Sequence, residues 1–151
     1  MIILSKMADY GVIVATHLAA EPARQMNAAA LALETRLPQA TVAKVLKSLA
    51  HAGIVVAARG AAGGYRLARS PAAITVADVV ASIDGAIGMT QCSLEEPGCE
   101  RTHFCPTRPH WRRINLAVGE ALAAVTLAEM AAPAPFPVLL RTETADVHAQ
   151  S

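Results

Sequence analysis

Apolar residues recur along the chain with two different periods, and the changes between them mark out its elements. Between about Lys6 and Ala20, Met7, Tyr10, Val14 and Leu18 share one stripe at helical spacing, and Glu21-Pro22 ends the run because proline disfavours helix in the residue before it. A second helix is predicted from Asn27, a good N-cap residue, through Leu31 and Leu33 to about Thr35. Arg36-Leu37-Pro38 makes a short break. From about Ala40 to His51, Val42, Val45, Leu46 and Leu49 fall at i, i+3, i+4 and i+7, with Gly53 placed as a C-terminal stop. The pattern then becomes that of extended chain. Ile54-Val55-Val56-Ala57-Ala58 and Tyr65-Arg66-Leu67-Ala68 flank the glycine-rich Arg59-Gly60-Ala61-Ala62-Gly63-Gly64, which reads as a β-hairpin.

Two short helices joined by a tight turn form the pattern of a helix-turn-helix, and a hairpin directly after the second helix is a wing. The exposed face of that second helix carries Thr41, Lys44, Lys47 and Ser48. At the wing, Gly60, Gly63 and Gly64 would let the backbone approach a phosphate chain or minor groove closely. Tyr65 follows them, and Arg59 and Arg66 supply charge near the base. Neither the lysine-serine ending of a phosphate-binding P-loop nor G-x-G-x-x-G spacing is present.

Further along, Thr75 and Asp78 make a capping-box-like start for a helix through Ile83, with Val76, Val79, Val80 and Ile83 on its apolar face and Asp84-Gly85 at its end. A longer helix is predicted from about Pro109 to Val125, with Ile114, Val118, Leu122 and Val125 on one face and Ala117 and Ala121 beside them. The preceding helices already have a core, so this surplus stripe is expected to be a dimer interface. From Ala132 onward, Pro133, Pro135 and Pro137 break any helix, and a flexible tail is expected.

Composition and charge sharpen the picture. Among 151 residues, 54% are apolar and only 3% aromatic, the make-up of a helix-rich core of small side chains. The net charge is +1, yet Arg24 to Arg69 holds seven basic residues and one acid, Glu34, so the winged segment is basic and the remainder acidic. A basic segment in a near-neutral protein is the footprint of polyanion binding. Lys6, Asp9 and His17 interrupt any N-terminal signal-like stretch, and no run of about 18 uncharged apolar residues occurs. The chain therefore reads as cytoplasmic, where thiols stay reduced.

Those thiols are gathered. Cys92, Cys99 and Cys105 are the only cysteines, spaced C-x6-C-x5-C in a polar stretch with Glu95, Glu96, Pro97, Gly98, Glu100 and Arg101. An odd number cannot pair off internally, and thiolates are standard ligands for zinc and iron-sulfur clusters, so the three read as a ligand set with one position left open. An enzyme with a catalytic cysteine is the weaker reading, since no nucleophile-elbow, caspase-like or papain-like context and no acid/base set accompanies them.

The block from Leu4-Ser5-Lys6 to Asp9-Tyr10-Gly11, the wing from Arg59 to Leu67, the helix start Ile74-Thr75-Val76-Ala77-Asp78-Val79 and the three cysteines resemble the Rrf2 family of winged-helix regulators, over about residues 1 to 131. Cys-Pro-Thr-Arg-Pro-His-Trp-Arg-Arg-Ile at 105–114 is most similar to the branch controlling the SUF iron-sulfur assembly operon. Other branches sense nitric oxide, iron or redox state. The resemblance implies a homodimeric transcription factor on a pseudo-palindromic double-stranded DNA operator. Its DNA binding would depend on an iron-sulfur cluster, 2Fe-2S or 4Fe-4S, held by Cys92, Cys99 and Cys105. One branch places a histidine three residues after the last cysteine, where this chain has Arg108. His110 and His103 stand nearby, and Asp9 matches the N-terminal aspartate that completes the cluster from the partner subunit in another branch. Asp9 is favoured over His110. A zinc-bound winged-helix regulator using the same cysteines is the alternative.

The expected fold is mainly α with a small β-hairpin. A winged helix-turn-helix domain spans 1–84, a cysteine loop 85–108, a dimerisation helix 109–131 and a tail 132–151. No membrane association is expected.

Overall fold

The computed structural model describes residues 3–94, 99–101 and 103–133. The tail expected from Ala132 lies outside these residues from position 134 onward. Three helices build the N-terminal core: α1 (Lys6–Ala20), α2 (Ala28–Thr35) and α3 (Gln39–His51). Ser5 caps α1, its hydroxyl accepting from the Ala8 N–H at 3.0 Å and donating to Asp84 at 2.7 Å, so the start of α1 is tied to a residue 79 positions away. Asn27 caps α2 by accepting from the Ala30 N–H at 2.8 Å. The chain leaves α2 through Arg36, the one non-glycine described residue with positive φ (57°), and the α2–α3 turn is completed when the Leu37 N–H reaches the Ala32 carbonyl at 3.1 Å.

The predicted apolar face of α3 is the centre of the core. Val42, Val45, Leu46 and Leu49 are all fully buried, packed with Leu18 and Val14 of α1 and Leu31 of α2. Each such side chain contributes roughly 1.5–3 kcal/mol by leaving water. On α2, Leu31 is fully buried while Leu33 is 80% exposed. An eight-residue helix buries only a narrow stripe, and Leu31 and Ala32 fill it.

The wing consists of β1 (Val55–Ala58) and β2 (Gly64–Leu67), antiparallel, with Val55 opposite Leu67 and Ala58 opposite Gly64. Val55 and Leu67 point into the core while Val56 is partly exposed. Sequence pattern did not reveal the wing's third attachment. Met26 bridges to Tyr65, each N–H reaching the other's carbonyl at 3.0 and 2.8 Å.

After a short 3₁₀ turn at Pro71–Ala73, α4 (Val76–Asp84) starts on the expected capping box, with Thr75 and Asp78 exchanging hydrogen bonds of 2.9 and 3.1 Å. It packs across α1 at Gly11, where a Cβ would run into the Ile83 side chain. The next helix, α5, runs Arg108–Ala123, and α6 (Leu127–Ala131) follows it as a separate element. The helix expected to reach Val125 stops two residues early because Thr126 takes the cap of α6, closing a capping box with Glu129. Thr126 also bridges to Thr75, and Leu127, fully buried, returns the chain to the core against α1. No helix among the described residues is long and apolar enough to cross a membrane.

Candidate DNA-binding surface and cysteine segment

On α3, opposite its buried stripe, Lys44 and Lys47 are exposed, and Thr41 and Ser48 sit half-buried on the flank. Gln39 and His51, at the two ends of the same helix, are exposed as well and were not among the expected contacts. Gln39 was missed because the helix was expected to start at Ala40. Its signal was the preceding Pro38, which occupies the N-cap and so makes Gln39 the first helical residue. The only acid of the basic segment, Glu34, is taken up by Arg24 and His17, at 2.8 Å each, and both contacts hold its carboxyl below the usual range. Lys44, Lys47 and Arg59 have no ion-pair partner among the described residues, which leaves the positive charge of this face open.

The wing glycines do different work from one another. Gly60 has φ 108° and open space where a Cβ would be, so it shapes the tip and leaves it bare. Gly64 is an internal requirement. A Cβ there would lie 2.7 Å from the Met26 carbonyl carbon, blocking the Met26–Tyr65 bridge. At Gly63 a Cβ would strike the Ala58 carbonyl across the turn. Tyr65 is half-buried against the core, while Arg59 and Arg66 are exposed.

The cysteine segment bridges α4 and α5. Cys92 lies in a 3₁₀ turn (Gln91–Ser93) and is buried, its thiol 3.2 Å from the Thr90 hydroxyl. Cys99 and Cys105 are half-buried, and none of the three cysteines is in a disulfide. Cys105 sits two residues before the Thr107 cap of α5. Its thiol is pushed below the ordinary cysteine range, first by the Thr107 hydroxyl at 3.2 Å, then by the backbone N–H groups of Thr107 and Arg108 and the charge of Arg101, with desolvation opposing. Midway along α5, the Asn115 amide donates to the Ile87 carbonyl at 2.9 Å and accepts from the Met89 N–H at 3.1 Å, clamping the approach to Cys92.

Among the described residues no three His, Cys, Asp or Glu side chains converge closely enough to hold a metal ion. His110 is exposed in the first turn of α5, His103 is exposed before Cys105, and Asp9 is exposed on α1, in a hollow it shares with Ile13, His17, Glu34 and Met130. Glu95, Glu96, Pro97 and Gly98 lie outside the described residues. The donor chemistry still fits a cluster. Three reduced thiols occupy one short segment, and one of them is biased toward thiolate.

A trihelical core, a hairpin wing tied back to it and a basic α3 define the class of winged helix-turn-helix DNA-binding regulators. Residues 4–133 match the Rrf2 family, described as iron-dependent transcriptional regulators, and the chain belongs to that family. It is 32% identical over 87 residues to the HTH-type transcriptional regulator IscR of Aliivibrio salmonicida, an alignment covering 58% of this chain and 51% of that protein. The chain thus spans about half the length of such curated relatives. The fold is similar to the structure of CymR, the global cysteine regulator of B. subtilis, with TM-score 0.70 and 30% identity, covering 87% of this chain and 97% of that one. It is also similar to T. potens IscR, with TM-score 0.68 and 28% identity, covering 85% of each. The enzyme reading falls with the family, whose members regulate transcription.

Proposed function

We propose that the chain is an iron-sulfur-cluster-dependent regulator that binds a pseudo-palindromic operator as a homodimer in the cytoplasm and represses iron-sulfur (SUF) assembly genes. The observation that carries this reading is the position of the three cysteines, none in a disulfide, on the one segment that joins the winged domain to α5. Cys92, Cys99 and Cys105 are the protein's thiolate ligands to the cluster. The partner subunit's Asp9 is the preferred fourth ligand, ahead of His110. When bound, the cluster supplies ligation that oxidation or loss of iron can undo. The chain's own residues convert that into movement, because Cys105 leads directly into α5 and Cys92 is held to the same helix through the Asn115 clamp.

A homodimer is supported by α5, which has no buried residue and exposes Ile114 at 44% and Leu116 at 66%. On the DNA, Thr41, Lys44, Lys47 and Ser48 meet the major groove while Arg59, Arg66 and the Gly60 tip reach the adjoining backbone.

Anaerobically purified protein is expected to be coloured, to bleach in air and to change its operator affinity as it does. Equal affinity before and after bleaching overturns the switch. Asp9→Ala is expected to speed cluster loss more than His110→Ala, and the reverse order exchanges the fourth ligand. A second reading, thiol-based redox sensing without a cluster, is favoured by the separated placement of the cysteines and by the likeness to CymR. It predicts colourless protein whose DNA affinity follows thiol oxidation.

A further inference from the structure

The exposed face of α3 is short of groups able to read a base edge. In its first turn Gln39 and Ala40 are exposed, Thr41 is half-buried and Val42 is fully buried. Beyond that turn the exposed residues are Ala43, Lys44, Lys47, Ala50 and His51. The alanines carry no hydrogen-bonding group. The lysines are flexible point charges that only donate, suited to phosphate or guanine. His51 lies at the C-terminal end, whereas recognition helices bring their N-terminal residues to base edges.

Gln39 is therefore the one exposed side chain of the first turn with both a donor and an acceptor. Its amide presents the two side by side, the complement of adenine N6 and N7 in the major groove. Among the described residues nothing in the chain hydrogen-bonds that amide. The methyl groups of Ala40 and Ala43 lie exposed beside it, and small apolar groups of this kind pack on the thymine methyl.

We infer that Gln39 reads an adenine in each half-site, with Ala40 and Ala43 against thymine methyl groups, so that the operator is A·T-containing where the start of α3 enters the groove. This rests on the reading of α3 as the DNA-contacting helix.

The test is enrichment of random-sequence duplex DNA by the full-length protein, as purified anaerobically and after cluster loss, comparing wild type, Gln39→Ala and Gln39→Arg. Wild type is expected to enrich a two-fold motif with adenine at one position per half-site. Gln39→Ala is expected to lose roughly tenfold to hundredfold discrimination at that position alone, and Gln39→Arg to shift it toward guanine. A motif unchanged in both variants, or a uniform loss of affinity with the same motif, overturns the inference while leaving DNA binding by α3 standing. Wild type that enriches no sequence overturns the underlying reading and the inference with it. Thermal melting of the variants, expected to be unchanged because Gln39 is exposed, separates altered reading from misfolding.

Discussion

The winged domain and the segment from the first cysteine through α5 are built to opposite rules. In the winged domain every helix has a fully buried stripe or a side-chain cap, and Leu18, Leu31, Leu46, Leu49 and Ile54 are closed within one chain. In the other region α5 is sixteen residues long without one buried residue, and Cys92 is the one residue between Asp84 and α5 that is buried among those described. The first region is complete as it stands. The second keeps the apolar side chains of α5 and two of its three cysteines outside any closed core, the arrangement the proposed sensor role requires.

The contrast is broken most severely by Leu46→Ala. Losing a fully buried leucine at the centre of α3 should cost about 2–5 kcal/mol and lower the melting temperature at every protein concentration. Leu116→Ala, 66% exposed on α5, should change the fold of the single chain by no more than about 0.5 kcal/mol and appear instead as weaker self-association on dilution. If the two variants melt alike, the division is wrong.

Gly64→Ala is expected to cost about 1–3 kcal/mol, because its methyl meets the Met26 backbone, and to weaken DNA binding beyond that loss by freeing the wing. Thr75→Ala removes half a capping box and should cost about 1 kcal/mol in chemical denaturation. The smallest effect concerns acid. The Glu34 carboxyl is held low by Arg24 and His17, so its contribution is present above the ordinary carboxylate range and is lost as pH falls through its lowered value in the folded chain. Glu34→Gln should therefore lower the melting temperature slightly at neutral pH, where the charged carboxyl contributes, and converge with the wild type in acid.

What could be read from the sequence was local. The bounds of α1, the Asn27 cap, the Thr75–Asp78 box and the stripe of α3 each depend on residues within a turn or two of one another, and all appear as expected. The Met26–Tyr65 bridge and the return of Thr126 to Thr75 join residues far apart in sequence by backbone alone, and backbone pairing leaves no side-chain signature. The end of α5 at Ala123 had a signal in Thr126 and Glu129, outweighed by the apolar repeat running through Val125. Gathering the cysteines in sequence was informative about chemistry. It carried no information about their convergence in space, because a polar loop has no packing pattern to fix where its thiols point.

The Asn115 clamp changes the energetics of that loop. Its hydrogen bonds tie residues 87 and 89 to the middle of α5, and Cys105 lies three residues ahead of Arg108, the first residue of the same helix, so both ends of the intervening stretch are anchored at one rigid rod. Bringing the ends of a chain together is an entropic cost that otherwise falls on whatever ligand closes it. Here the fold has met that cost in advance. If the proposed cluster binds there, its affinity is set in part by an amide that never touches it, and in the proposed dimer the same rod would turn strain within the loop into torque on the partner.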